Sequence, residues 1–552
     1  MGTAKKIMHG GQILANALVR QGVDVAFGVP GESFLPLLDG LVDHPEFRFI
    51  TCRQEGGAAY MGEAYAKLTG KPGVVMVTRG PGASNAMVGI HTAYQDSTPM
   101  VLLVGQVGTD MVEREAFQEV DYRRMFSECA KWVGSIDRVD RIDEFVSHAF
   151  HIAQSGRKGP VVLALPEDIL YLNAEEKPTA AAHVVQPGLD QSIFTEAMKQ
   201  FANAKNPMVL AGGGNWNANA CNQLIAWANR EGVPVATSFR SQDLIDNQNA
   251  CYAGDLGIAA NPALVKRIQE ADVLLVIGER LGEMTTAGYS VLTPPKAANT
   301  LIHVLSSPDE LGRVYRPEFA LSCSPENFCA ALDNVKMANA YRTERMLEAH
   351  TEYLAWSSPV TVSGNLQLAH IMASLPSSIP RDAIITNGAG NFATWVHRFY
   401  PYGSIRSQLA PTNGSMGYGL PAAIAAKIAD PKRVVIAVCG DGDFMMNCQE
   451  LATAARYEAY PIVLVVNNSM LGTIRMHQER EFTKRVMGTG LTNPDFVKFA
   501  DSFGIPGYRV SNTEEFAPAF AKALESKRGA LIELVLDPEV ITPTKLLSKL
   551  GK

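Results

Sequence analysis

Gly440-Asp441-Gly442 closes an apolar run, Val434-Val435-Ile436-Ala437-Val438, and Asn467-Asn468 ends the next apolar run after a gap of 24 residues. A strand that stops at Gly-x-Gly and opens a helix lets the backbone approach a phosphate closely, with the first helical N–H groups pointing at it. The gap is the length of one strand-helix-strand unit. Asp441 and the two asparagines are therefore expected at the C-terminal edges of neighbouring strands. The Gly-x-Gly turn alone is a weak signal, because the chain has 47 glycines and another such turn at Gly212-Gly213-Gly214. The combination is sharper. Asp441 offers a carboxylate, Asn468 an amide oxygen and Met470 a backbone carbonyl; with two phosphate oxygens they complete the hard oxygen shell that Mg2+ prefers. The chemistry outlined is the capture of a diphosphate through a divalent metal.

The elements that must position these residues read as α/β. Short Val/Ile/Leu runs such as Val74–Val77, Met100–Val104, Val273–Ile277 and Val434–Val438 alternate with helix-length amphipathic stretches. Strands buried on both faces have this composition, so the sheets are expected to be parallel and doubly wound. Two polar or Pro-containing passages, Leu172 to Gly188 and Ser357 to Gly364, read as linkers. Three domains follow, at 1–175, 190–340 and 360–552. The first and third carry similar segments: an apolar strand, Gly80-Pro81-Gly82, a helix, Pro99 and a second strand in one, and the same order with Gly440-Asp441-Gly442 and Pro461 in the other. This is the signature of a duplicated unit. Pro81 cannot bind a metal and Asp441 can, so only the third domain keeps a metal site.

Bulk properties exclude several classes. The net charge of −7 over 552 residues comes without a long Lys/Arg cluster, which argues against a nucleic-acid partner. No apolar run approaches the ~18 residues of a spanning helix. The eight cysteines form no C-x-x-C pair and read as small buried hydrophobes of a reducing, cytoplasmic setting.

The Gly-Asp-Gly…Asn-Asn pattern resembles the diphosphate motif of the thiamine-diphosphate superfamily. That resemblance implies that Asp441, Asn468 and Met470 hold the metal. It also implies that Gly440, Gly442, Asp443, Asn413, Leu471 and Gly472 line the cofactor site from the third domain, with Pro30 and Gly31 doing so from the first. The 4'-amino group of this cofactor takes the C2 proton once a carboxyl group hydrogen-bonds to N1', so one glutamate is required. Glu55, in Arg53-Gln54-Glu55-Gly56-Gly57, matches it; taken singly, a glutamate there would only favour a helix N-terminus. Met416 matches the large apolar residue that folds the cofactor into a V, and a core methionine is its plain alternative. In the superfamily the glutamate and the metal site of one cofactor come from different subunits, which implies a homodimer or homotetramer.

The resemblance covers essentially the whole chain and is closest to the acetohydroxyacid (acetolactate) synthase branch, through Phe27-Gly28-Val29-Pro30-Gly31, Ala116-Phe117-Gln118-Glu119-Val120-Asp121, Lys131 and Asn493-Pro494-Asp495-Phe496. It implies loss of CO2 from a pyruvate-like 2-oxo acid and ligation of the remainder to a second carbonyl. Phe117 and Gln118 would line the site, and Lys131 would lie near its entrance. His477 reads either as an acid-base group or as a polar cleft wall, the wall being the better bet. Arg79 reads equally as a carboxylate clamp or as the partner of a neighbouring acid. The branch binds FAD in its central domain behind a Gly-rich turn; here Gly278-Glu279-Arg280 and His303 still match, but that turn is Ser238-Phe239-Arg240-Ser241-Gln242-Asp243, without glycine, which puts FAD in question. Two rival functions are a decarboxylase or lyase that releases aldehyde and a non-catalytic coenzyme-binding protein. Gly108 to Arg124 contains no histidine, unlike pyruvate-decarboxylase-like members, which disfavours the first.

Overall fold

A computed structural model describes residues 7–337 and 342–550. It contains three six-stranded sheets, each parallel throughout. The first is built from β1 (Val25–Gly28), β2 (Arg48–Thr51), β3 (Gly73–Val77), β4 (Met100–Gln106), β5 (Trp132–Ser135) and β6 (Pro160–Pro166), in the order β2-β1-β3-β4-β6-β5. The second has β7 (Pro207–Ala211), β8 (Val235–Thr237), β9 (Tyr252–Asp255), β10 (Val273–Ile277), β11 (Thr300–Leu305) and β12 (Phe319–Ser322), in the order β9-β8-β7-β10-β11-β12. The third has β13 (Ile384–Asn387), β14 (Gln408–Leu409), β15 (Val435–Gly440), β16 (Ile462–Asn467), β17 (Gly507–Val510) and β18 (Ala530–Val535), ordered β14-β13-β15-β16-β18-β17.

The first and third sheets thus share one winding, with β3 and β15 in equivalent central places. The second has a different winding, so duplication relates the outer sheets alone. Its strands show why the apolar runs are continuous. Val209, Ala211, Leu275 and Ile277 enter one core, while Met208, Leu210, Leu274 and Val276 enter another. Successive side chains point to opposite faces, both faces are covered by helices, and every position must be apolar.

By compactness the chain falls into two units. One runs to Val185 and includes Leu420–Pro431 and Asn447–Ala459. The other has Gln186–Gly419, Lys432–Met446 and the chain from Tyr460 onward, so it holds both the second and third sheets. The passage read as a linker after Leu172 begins with a short strand, Asn173–Glu175, paired antiparallel with Ile7–His9. All eight cysteines are free; Cys129 is half-buried and the rest are buried. Among the described residues no helix is long and apolar enough to cross a membrane.

Candidate active site

β15 ends at Gly440 and β16 at Asn467, and the two strands are neighbours with Gly440 beside Val466. A short helix, Asp441–Met445, starts at the first stop and a longer one, Gly472–Glu481, follows the second. At these strand ends lies a cavity of about 240 Å³, whose walls include Asp441, Gly442, Asn468, Met470, Leu471 and Met416. The C-terminal edge of a parallel sheet is where such clefts form, because the strand-to-helix turns diverge there.

Asp441 is buried, and its Oδ2 accepts from Asn493 Nδ2 at 2.8 Å. Burial pushes this carboxyl up, and the Asn493 amide opposes the shift. The same Nδ2 also donates to Asn467 Oδ1 at 3.0 Å, while the Asn467 amide donates to the buried Glu533 at 2.7 Å. Asn467 is therefore committed to the framework, and Asn468 faces the cavity. Sequence reading gave Asn493 no role of its own; its only signal was membership of the Asn-Pro-Asp-Phe segment. Asn468 Oδ1 accepts from Met470 N–H at 3.3 Å across Ser469, which has a left-handed φ of 54°. No group of three or more His, Cys, Asp or Glu side chains that could hold a metal occurs among the described residues. A cation at this cavity would have to draw on Asp441, Asn468 and the Met470 carbonyl, completed by ligand oxygens. That donor set suits Mg2+.

The glycines of the motif are fixed by close contacts. A Cβ on Gly440 would meet the Phe392 ring at 2.9 Å, and one on Gly442 would meet Leu471 Cδ2 at 2.9 Å. The same point lies 3.9 Å from Met416 Cε, so Met416 and Leu471 form an apolar wall beside the Gly-Asp-Gly turn. Gly472 packs against the Asn468 amide.

Three of the residues that the sequence placed at the site are engaged elsewhere in the structure. Asp443 lines the cavity, but its carboxyl is turned into the wall, where Oδ1 accepts from Gly417 N–H at 2.7 Å and Ala389 N–H at 3.4 Å. Burial pushes it up to about 7, and it braces two loops. Asn413 is not among the cavity's walls; its Oδ1 accepts from Ser415 N–H, closing the turn that presents Gly414 and Met416. His477 is exposed and hydrogen-bonds Arg480 at 3.0 Å. It lies one helical turn beyond Thr473, roughly 6 Å further along the axis, and is not part of the cavity wall.

In the first unit, Glu55 is the first residue of the helix Glu55–Thr69, capped by Gln54, whose Oε1 accepts from the N–H groups of Gly56 and Gly57. Glu55 is half-buried; its Oε2 accepts from Asn85 Nδ2 at 2.9 Å, and a Cβ on Gly82 would lie 3.5 Å from Oε1. It therefore faces the Gly80-Pro81-Gly82 turn. Pro30 is exposed beyond the end of β1, and Gly31 lies against Thr78, where a Cβ would come within 2.5 Å. The Gln118 carbonyl accepts from Gly80 N–H at 3.0 Å and its backbone is left-handed, with φ 65°. Phe117 beside it is 73% exposed.

Two open readings close. The buried Arg79 guanidinium pairs with Glu167 and reaches Glu32, so it serves an ion pair and not a free carboxylate clamp. Lys131, which the resemblance put near the entrance, has its Nζ donating to the carbonyls of Ile152 and Ser155 at the end of the helix Ile142–Gln154, and burial pulls it down to about 8.

Comparison with known proteins agrees with this geometry. Three family models match in chain order: the thiamine pyrophosphate enzyme N-terminal TPP binding domain over residues 8–125, the central domain over 194–332 and the C-terminal TPP binding domain over 388–534. A probable acetolactate synthase large subunit from Methanocaldococcus jannaschii is 31% identical, over 97% of this chain and 93% of the relative. The acetolactate synthase isozyme 2 large subunit of Escherichia coli is 29% identical over 96% of each, and the Corynebacterium glutamicum acetolactate synthase large subunit 31% identical over 97% and 87%. With its sheets, its motif and its full length matched in this way, the chain belongs to the thiamine pyrophosphate enzymes, close to their acetolactate synthase large-subunit branch.

Proposed function

We propose that the protein removes CO2 from a pyruvate-like 2-oxo acid and joins the remaining fragment to a second carbonyl, as an acetolactate-synthase-like carboligase. The observation that carries this reading is the convergence of Asp441, Asn468, Met470 and Met416 on one cavity at the ends of β15 and β16. Thiamine diphosphate, when bound, supplies the electron sink that decarboxylation and ligation both need. Asp441, Asn468 and the Met470 carbonyl would hold Mg2+ against the diphosphate, and the N–H groups of the turn that opens at Asp441 would bind it. Met416 and Leu471 supply the apolar support for a bent cofactor. Glu55 would hydrogen-bond N1' and so favour the activated aminopyrimidine, and Gln118 with Phe117 would form the acceptor side of the site.

We further propose a homodimer or homotetramer in which Glu55 of one chain serves the metal site of another. The exposed apolar side chains of Phe117, Met111 and Val112 support this, since a partner chain would remove them from water. The unpaired cysteines support a cytoplasmic setting.

The test is to incubate the protein with pyruvate, Mg2+ and thiamine diphosphate and identify the products. Acetolactate supports the reading. Free acetaldehyde replaces it with the lyase, and failure to release CO2 from any of a panel of 2-oxo acids overturns it.

A further inference from the structure

β8 ends at Thr237 and the chain turns through Ser238 to Leu244. In the middle of this turn Arg240 adopts a left-handed backbone, φ 60°, which a glycine would adopt without strain and an arginine does not. Such strain persists where the surroundings over-determine it. Here they do. Arg240 is 9% exposed, its guanidinium lies 4.9 Å from the centre of the Phe239 ring, and its two terminal nitrogens donate to the carbonyls of Gly388 and Pro411.

Both carbonyls belong to loops that make the cofactor cavity. Gly388 O is part of the same peptide group as Ala389 N–H, which donates to Asp443 Oδ1. That peptide is thus gripped at its oxygen by Arg240 and at its nitrogen by Asp443. The same Asp443 oxygen holds Gly417 N–H, next to Met416. On the other side, Pro411 precedes Gly414 and Met416, both in the cavity wall. The rest of the turn is sealed to the third sheet. Gln242 and Gln408 exchange two hydrogen bonds, at 2.9 and 3.0 Å, and Asp243 Oδ2 accepts from the N–H groups of Ser407 and Gln408. Phe239 fills the remaining space, lying where a Cβ on Gly257 would collide with it at 2.5 Å. Ser238, Phe239, Arg240, Ser241, Gln242 and Asp243 are all buried. A flat ring system could enter this seam only by breaking these bonds and leaving a guanidinium and a carboxylate buried without partners, which is costly. The residues at this seam do not fit a flavin.

We propose that Arg240 is a positioning residue for the thiamine diphosphate cavity, and that the seam it closes between the second and third sheets takes no flavin. The positioning half rests on the cofactor reading above; the flavin half does not. The full-length protein, purified from cells supplied with riboflavin, is denatured and its released flavin and thiamine diphosphate are quantified in one extract. Flavin below about one tenth per chain, and a melting temperature unmoved by added FAD, is expected; flavin approaching one per chain overturns the closed seam. Arg240→Ala is then titrated with thiamine diphosphate at saturating Mg2+. The half-saturating concentration should rise roughly tenfold or more with kcat at saturation changed less than about threefold, and millimolar guanidinium should recover part of the loss. An Arg240→Ala protein that binds thiamine diphosphate as the parent does overturns the positioning role. Should that variant not fold, Arg240→Lys, which keeps the charge but not the two-carbonyl grip, is read by the same titration. A parent protein that neither releases nor binds thiamine diphosphate refutes the cofactor reading instead, leaving the flavin measurement standing.

Discussion

The Glu450 carboxylate accepts the backbone N–H of Gln54 at 3.0 Å, and that of Arg53 at 3.1 Å, directly before Glu55. A third bond comes from Thr453 Oγ1 at 2.5 Å, and Gly57 packs so closely that a Cβ there would lie 2.8 Å from Glu450 Oε1. Burial pushes the Glu450 carboxyl up, and these donors oppose the shift. Glu450 thereby fixes the entry of the helix that begins with Glu55, the glutamate proposed to activate the cofactor.

Glu450→Ala is expected to lower kcat by roughly ten- to a hundredfold, since hydrogen bonds to a charged group contribute about 1.5–3 kcal/mol. Glu450→Gln, which retains an acceptor, should recover part of that loss. Glu55→Gln should lower turnover further while leaving thiamine diphosphate bound, because the diphosphate anchor lies elsewhere. Steady-state rates with a parallel count of bound cofactor check all three; an unimpaired Glu55→Gln removes that residue from the mechanism.

Metal dependence should trace to Asp441. Chelation with EDTA is expected to release thiamine diphosphate and abolish turnover, and Mg2+ should restore both. Asp441→Asn keeps the shape and the Asn493 contact but loses the charge, so its half-saturating Mg2+ should rise at least tenfold. Equal metal response in parent and variant would remove Asp441 from the ligand set.

Stability should fall as pH rises from about 4 to 7, through Asp255 at the end of β9 and Asp243 in the turn after β8. Burial pushes Asp255 up to about 7 and Asp243 to about 6, against an ordinary value of 3.8. The folded chain then keeps protons that the unfolded chain releases, so the associated stability is complete below the ordinary value and is lost as pH passes through the raised one. Each group contributes at most about 1.4 kcal/mol per pH unit. Asp255→Asn, which preserves the acceptor for Gln242, should flatten the dependence of melting temperature on pH in this window. Parallel curves for parent and variant would contradict the assignment.

His477→Ala should leave kcat/KM within about threefold of the parent, since this exposed ring contacts Arg480 and lines no part of the cavity. A loss of a hundredfold or more, measured on the same substrate, would restore it to the chemistry.

Sequence alone determined the α/β class, the parallel sheets and the duplication, and it placed Gly-Asp-Gly and Asn-Asn at strand ends. These are local properties: continuous apolar strands report burial on both faces, and Gly-Asp-Gly and Asn-Asn report turns at strand ends, whatever the rest of the chain does. It also marked Ser238–Asp243 as a departure from the branch, since a missing glycine is visible without coordinates. Only the tertiary structure decided which way side chains face and what distant residues they meet. Asp443 turned into the wall, His477 turned to solvent, Lys131 became a helix-end partner and Arg79 an ion-pair member, because each outcome depends on groups remote in the chain. The grip of Glu450 on the backbone before Glu55 spans nearly four hundred residues, and that of Arg240 on Gly388 and Pro411 crosses from one sheet to the next. A single buried charge must find its partners wherever the fold brings them, and no spacing rule encodes that search.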